Sequence, residues 1–258
     1  MPQTDWNPES YARFADLRLR PARDLLAQVG SLPDGPVCDL GCGAGAAGPM
    51  LRARFAGRAL TGLDTSPAMI AKATETGVYD TLTQTDAARW QPDTAPALIF
   101  SNAALHWVGD HATLMPYLAR LVASGGTLAV QMPHQNRAPS HRLWLDLVAQ
   151  HFPGRFDPAQ APGILDAPAY HRLLSPLGRL TLWETEYFQV LQPSAEGHPV
   201  RQFTSATFAR PVLAALNAEE QAELGAQYDA VMEKAYPRSP DGSVLFPFRR
   251  LFFTLDKA

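Results

Sequence analysis

Cysteine is scarce in this chain, with two residues among 258, and both stand in one short stretch as Cys38 and Cys42. That count excludes a scaffold held by disulfides, and two residues so close along extended chain are out of bonding reach of one another. Neither has a His or Cys neighbour at ligand spacing, so no metal site is expected and packing is the role left to them. Positive charge is short as well: 22 Lys and Arg against 25 Asp and Glu leave a net charge of −3. Such a balance gives no general attraction to nucleic acid or to an anionic membrane, and neither is an expected partner. Long apolar runs are missing, since no stretch approaches the ~18–20 residues that a membrane helix needs. The opening residues Met1-Pro2-Gln3-Thr4-Asp5 show neither the basic nor the apolar part of a signal peptide, so a cytoplasmic location is expected. Internal repeats and low-complexity tracts are absent.

What is present is enough apolar material for a real core, 46% of the chain. The runs Pro36–Leu40, Ala59–Leu63, Ala97–Phe100 and Thr127–Gln131 have the length and spacing of buried parallel strands separated by helices. The fold class is therefore α/β, a doubly wound sheet. Pro49 is tolerated only near a helix start, which puts the first crossover helix directly after residues 41–48. Ser66 followed by Pro67 reads as an N-cap and first helical position. Strands resume at Leu180–Val190 and Leu245–Leu255. The expected division is thus a core of 1–133, 179–191 and 244–258, with 134–178 and 192–243 as a mostly helical cap that acts as a lid over the substrate region.

The stretch Val37-Cys38-Asp39-Leu40-Gly41-Cys42-Gly43-Ala44-Gly45 carries the chemistry: an apolar strand that ends in a carboxylate and breaks into alternating glycines. Gly41, Gly43 and Gly45 let the backbone turn sharply and approach a ligand. Gly43 to Gly48 also fits the dinucleotide fingerprint, so an NAD-dependent oxidoreductase is a rival reading. Charge separates the two, because a carboxylate at Asp39 repels a pyrophosphate but suits S-adenosylmethionine, which carries a sulfonium, an ammonium and no phosphate. Asp64 ends the second strand about 20 residues further on, where an acidic residue accepts the hydroxyls of a ribose in either kind of site. Asp86 can accept the exocyclic amine of adenine while the backbone N–H of Ala87 meets a ring nitrogen; a turn aspartate is the plainer alternative. Met69 fits either an adenine face or the core. Asn102, Ala103, His106 and Trp107 follow the fourth strand at its carboxyl end, the ligand side of open α/β sheets; a buried, hydrogen-bonded His106 is the lesser alternative. The candidate cofactor set is Asp39, Gly41, Gly43, Gly45, Asp64, Ser66, Met69, Asp86, Ala87, Asn102 and Ala103.

Trp6-Asn7-Pro8 with Tyr11, Phe14 and Arg18, then Arg20-Pro21-Ala22-Arg23-Asp24 and Asp39-Leu40-Gly41-Cys42-Gly43, open a pattern that continues along the chain. It runs through Thr61-Gly62-Leu63-Asp64, Asn102-Ala103-Ala104 with Trp107, Gln131-Met132-Pro133, Arg210-Pro211, Tyr236-Pro237 and Arg249-Arg250-Leu251-Phe252. Over nearly the full length it resembles the trans-aconitate 2-methyltransferase family. The resemblance implies a Rossmann-like, seven-stranded class I methyltransferase with S-adenosylmethionine as donor and S-adenosylhomocysteine as product. It also implies esterification of a carboxylate of trans-aconitate or a similar small polycarboxylate. The chain departs from the family pattern at Ala46, His106, His134, Gln135 and Phe208. A carboxylate is already ionised at pH 7, so such a transfer needs alignment rather than a general base, with His106 and Trp107 as positioning candidates. Forked guanidinium groups hold planar carboxylates, which makes Arg18, Arg20, Arg210 and Arg250, with Tyr11, His106 and Trp107, the candidate substrate set. A monomer with a small-molecule partner is expected. Methylation of another small acceptor, and S-adenosylmethionine binding without catalysis, are the remaining alternatives.

Overall fold

The computed structural model of the protein describes residues 15–258, with side chains from Leu19 onward. Tyr11 and the side chain of Arg18 lie outside the described residues.

Five strands run parallel, and four of them are buried: β1 (Val37–Leu40), β2 (Leu60–Asp64), β4 (Leu98–Asn102) and β5 (Thr127–Pro133). Their near-continuous apolar composition follows from burial on both faces, a requirement of parallel strands covered by crossover helices. β3 (Thr81–Gln84) pairs with β2 at the edge and is mostly exposed, so its Thr-Leu-Thr-Gln sequence carries no apolar run. The long strands β6 (Gly178–Leu191) and β7 (Val244–Lys257) complete a seven-stranded sheet of order β3-β2-β1-β4-β5-β7-β6, in which β7 runs antiparallel to β5. The chain moves outward from β1 to β3 and then crosses back to β4. The strand order therefore reverses between β1 and β4, and ligands of such sheets bind at the carboxyl ends on either side of that switch.

One face of the sheet presents Ile99, Leu128, Val130, Met132, Leu251 and Phe253 to Leu114, Met115 and Leu118 of α4 (His111–Leu121) and to Tyr170 and Leu174 of α6 (Ala167–Leu174). Each such side chain, fully buried, contributes about 1.5–3 kcal/mol. The opposite face of β5 receives α1 (Ala15–Ala27), which buries Ala22, Leu25 and Leu26. Helix starts obey local chemistry. α2 (Gly48–Arg54) has its proline in the first turn, and Ser66 caps α3 (Pro67–Glu75) by accepting from the Met69 N–H at 3.1 Å. The remaining α-helices among the described residues are α5 (Pro139–His151), α7 (Pro199–Ser205), α8 (Arg210–Ala214) and α9 (Ala218–Ala235).

The chain divides into two units: the sheet unit, with the described residues up to Pro133, Ile164–Thr185 and Arg250–Ala258, and a second unit of His134–Gly163 and Glu186–Arg249. These limits differ from the expected ones. Residues 164–178 group with the sheet because Tyr170 and Leu174 of α6 enter its core. Residues 186–191 and 244–249 group with the second unit because β6 and β7, at 14 residues each, are twice as long as the 7-residue β5, and β7 pairs with β5 only from Arg250 to Asp256. The second unit has its own core. Trp144 stacks on Tyr228 at 4.0 Å and donates to Thr204 Oγ1 at 2.9 Å, while Tyr228 donates to the Ser140 carbonyl at 2.7 Å.

Candidate active site

The turn after β1 is built as its glycines require. Gly41, Gly43 and Gly45 have φ of 74°, 54° and 83°, a region that side-chain-bearing residues avoid. At Gly41 a Cβ would also stand 2.1 Å from the Ala104 Cβ, so this turn meets the loop after β4 at a point where no side chain fits. The Gly41 and Cys42 N–H groups both donate to the Leu63 carbonyl, at 2.7 and 2.9 Å, which ties the turn to β2. Asp64 completes the tie: Oδ2 accepts from the Gly43 N–H and Oδ1 from the Ser66 N–H, both at 2.9 Å. Two backbone N–H groups, one on each carboxylate oxygen, thus orient Asp64.

Asp39 is 1% exposed beneath this turn, and the Tyr79 hydroxyl donates to its Oδ2 at 2.6 Å. Burial pushes the carboxyl up to about 7; the Tyr79 hydrogen bond opposes that rise and the nearby Asp64 charge adds to it. Tyr79 was not among the residues expected from sequence. Its trace there is the pair Gly48 and Gly62, where a Cβ would come within 2.7 Å of the Tyr79 hydroxyl and 3.0 Å of its ring. Asp86 is exposed, and its Oδ1 accepts from the Ala88 N–H at 2.9 Å, the turn arrangement given above as the plainer alternative. The third strand ends at Gln84, two residues before Asp86. Met69 is 3% exposed and Ala87 is 9% exposed.

On the β4 side, Ser101 donates to the Leu40 carbonyl at 2.8 Å, and the Ala103 N–H donates to the Gln131 carbonyl at 2.9 Å. Ala103 has φ of 54°, which costs a non-glycine residue on the order of 1 kcal/mol and recurs at ligand sites. The chain then enters a short 3-10 turn, Leu105–Trp107, where the half-buried His106 and Trp107 rings lie 5.3 Å apart. A buried pair holds this turn. The Tyr170 hydroxyl donates to His111 Nδ1, and Nε2 donates to the Leu105 carbonyl at 2.9 Å. Burial lowers the His111 pKa, so the ring is neutral and its single proton sits on Nε2. Neither His111 nor Tyr170 was expected from the sequence, since partners 59 residues apart leave no local signal.

The candidate arginines separate. Arg250 is 2% exposed and donates from Nη1 to Gln131 Oε1 at 3.2 Å, beside Asn102, whose strand position pairs with that of Gln131. Gln131 was also missed, although a glutamine inside the apolar run of β5 was a visible signal. Arg20 is exposed on α1, and Arg210 is half-buried at the start of α8 in the second unit. Phe208 packs its ring on His141 at 4.4 Å within that unit, where burial pushes the His141 pKa down to about 3. Among the described residues no group of His, Cys, Asp and Glu is arranged to hold a metal, and no helix is long and apolar enough to cross a membrane.

A nucleoside carrying a cationic side group fits this donor and acceptor set. Asp64 offers two oriented acceptors, Asp39 a buried carboxyl, and Asn102 Oδ1 is a buried acceptor with no hydrogen-bond partner among the described residues. A family model described as a methyltransferase domain matches residues 11–178. The trans-aconitate 2-methyltransferase of Methylobacterium nodulans is 42% identical over 253 residues, 96% of both chains. That of Paracidovorax citrulli is 39% identical over 255 residues, again 96% of each. Among solved structures, geranyl diphosphate C-methyltransferase of Streptomyces coelicolor, in complex with Mg2+, geranyl diphosphate and S-adenosylhomocysteine, superposes with a TM-score of 0.54 at 18% identity, covering all of this chain and 85% of that one. The chain therefore has the class I methyltransferase fold and belongs to the trans-aconitate 2-methyltransferase family.

Proposed function

We propose that this enzyme transfers the methyl group of S-adenosylmethionine to a carboxylate oxygen of trans-aconitate or a similar small polycarboxylate. The names of the relatives at about 40% identity support the reaction. The observation that carries the acceptor class is Arg250, a guanidinium buried to 2% exposure at the carboxyl end of the sheet.

S-adenosylmethionine, when bound, supplies an electrophilic methyl group on a sulfonium and leaves as S-adenosylhomocysteine. Asp64, held in place by the Gly43 and Ser66 N–H groups, takes the ribose hydroxyls. Asp39 supplies negative charge for the methionine end, and Asn102 Oδ1 accepts there from the ammonium group. The turn at Gly41, Gly43 and Gly45 brings backbone close to the ligand, with Ser66, Met69, Asp86, Ala87 and Ala103 as the further cofactor contacts in this reading. Arg250 holds a carboxylate of the acceptor, while His106 and Trp107 position it. No residue is needed as a base, because the attacking oxygen is ionised at neutral pH. Alignment and exclusion of water then supply most of the rate. Arg20 and Arg210 stand in the proposal as further cations for a polycarboxylate, and the cap role of the helical segments belongs to it as well.

A screen of small mono-, di- and tricarboxylates for S-adenosylhomocysteine release, with the ester identified by mass spectrometry, tests the reaction. Trans-aconitate is expected among the best acceptors, and preference for a neutral acceptor would overturn the assignment.

A further inference from the structure

Gln131 is out of place on packing grounds. Its strand neighbours Leu128, Ala129, Val130 and Met132 are all at 0% exposure, and so is Gln131, yet its Nε2 is a buried donor with no hydrogen-bond partner among the described residues. Buried amide donors in native proteins are met by an acceptor, and a core position with nothing to meet is filled by an apolar side chain.

The orientation of the amide is determined by its neighbour. Arg250 Nη1 donates to Gln131 Oε1 at 3.2 Å, and the reversed amide would press two donors together. The arginine thus directs the NH2 end of Gln131 toward whatever occupies the site. Strand register adds the second element. Ile99, Val130, Met132, Leu251 and Phe253 belong to the core on one face of the sheet, so by alternation Asn102, Gln131 and Arg250 share the other face. They stand at the carboxyl ends of β4 and β5 and beside the last β5 residue, since Pro133 pairs with Arg250. The Gln131 backbone is engaged too, because its carbonyl accepts from Ala103, the positive-φ residue that begins the His106–Trp107 loop.

We infer that Gln131 and Arg250 form one carboxylate subsite for the methyl acceptor, in which Gln131 Nε2 donates to one oxygen and the guanidinium to the other. Gln131 is then a specificity-determining residue: a planar, two-oxygen anion satisfies both donors, whereas an alcohol or an amine leaves one of them unmet. This inference rests on the functional reading above.

Gln131→Glu and Gln131→Met test it, with folding checked by thermal melting. Glutamate keeps the shape but neutralises Arg250 and repels an anion; methionine keeps the length and removes the donor. The trans-aconitate KM is expected to rise at least 30-fold in Gln131→Glu and about 10-fold in Gln131→Met, with the S-adenosylmethionine Kd within twofold of wild type. Calorimetric binding of trans-aconitate to the enzyme loaded with S-adenosylhomocysteine is measured in parallel and should weaken by the same factors. Wild-type protein that binds trans-aconitate, with both variants binding it equally well, overturns the subsite while leaving the functional reading intact. The subsite is likewise overturned if both variants lose S-adenosylmethionine affinity tenfold, since Gln131 then acts through the cofactor. Wild-type protein that neither binds nor methylates trans-aconitate refutes both. If one variant fails to fold, the KM and binding of the other decide.

Discussion

Replacing Tyr79 with Phe removes one hydroxyl from the buried Asp39 site and leaves the ring, wedged beside Gly48 and Gly62, in place. A hydrogen bond to an ionised group is worth about 1.5–3 kcal/mol, and 1.36 kcal/mol corresponds to a tenfold change in a proton equilibrium. Without the Tyr79 donor the Asp39 carboxyl should therefore move from about 7 to about 8–9. If only ionised Asp39 attracts the cationic end of S-adenosylmethionine, the ionised fraction at pH 7 drops from about one half to about one thirtieth. The apparent Kd should then rise about 15-fold at pH 7 and recover toward pH 9. Calorimetry from pH 6 to 9, in two buffers of different ionisation enthalpy, reads both quantities. Wild-type protein should release about half a proton per ligand bound at pH 7, because binding pulls the proton off a half-titrated carboxyl. A Tyr79→Phe protein whose Kd stays within twofold at pH 7, with the same pH dependence as wild type, would refute the coupling between this carboxyl and the ligand.

Asp64→Ala should weaken S-adenosylmethionine by about 1.5–3 kcal/mol in calorimetry, because a charged acceptor for the ribose and the anchor of the Gly43 and Ser66 N–H groups disappear together. His111→Phe takes away the acceptor of the Tyr170 hydroxyl proton and one of two donors to the Leu105 carbonyl, which keeps the Val108 N–H, at about 1–3 kcal/mol in all. It should lower the melting temperature and kcat while the S-adenosylmethionine Kd changes less than threefold; an unchanged kcat would remove the pair from loop positioning. His141 is held neutral, with its pKa at about 3, so its contribution to stability is complete above pH 6.5 and is lost as pH falls toward 3. At pH 5 that loss reaches about 2 kcal/mol, and His141→Leu should flatten the acid limb of the melting profile by that amount.

Much of the ligand turn was legible in the chain because it depends on short-range requirements. Glycines at 41, 43 and 45 have the backbone angles that only they adopt freely, and Ser66 with Pro67 starts a helix by local hydrogen bonding. The four buried parallel strands were legible for a related reason, since burial on both faces writes a continuous apolar run. β3 left no such trace, because an exposed edge strand needs only its backbone ladder. Asp39, Asp64 and Asn102 could be named as candidates but not characterised from sequence. Only the tertiary structure decided that Tyr79 and burial act on Asp39 in opposite directions, that two backbone N–H groups orient Asp64, and that Arg210 and Arg250 fall in different units. The pairs Tyr79 with Asp39, His111 with Tyr170 and Gln131 with Arg250 join residues 40 to 119 positions apart. Local sequence determines backbone conformation and which faces are apolar. The charge state and orientation of a buried polar group depend on neighbours that only the folded chain brings within hydrogen-bonding distance.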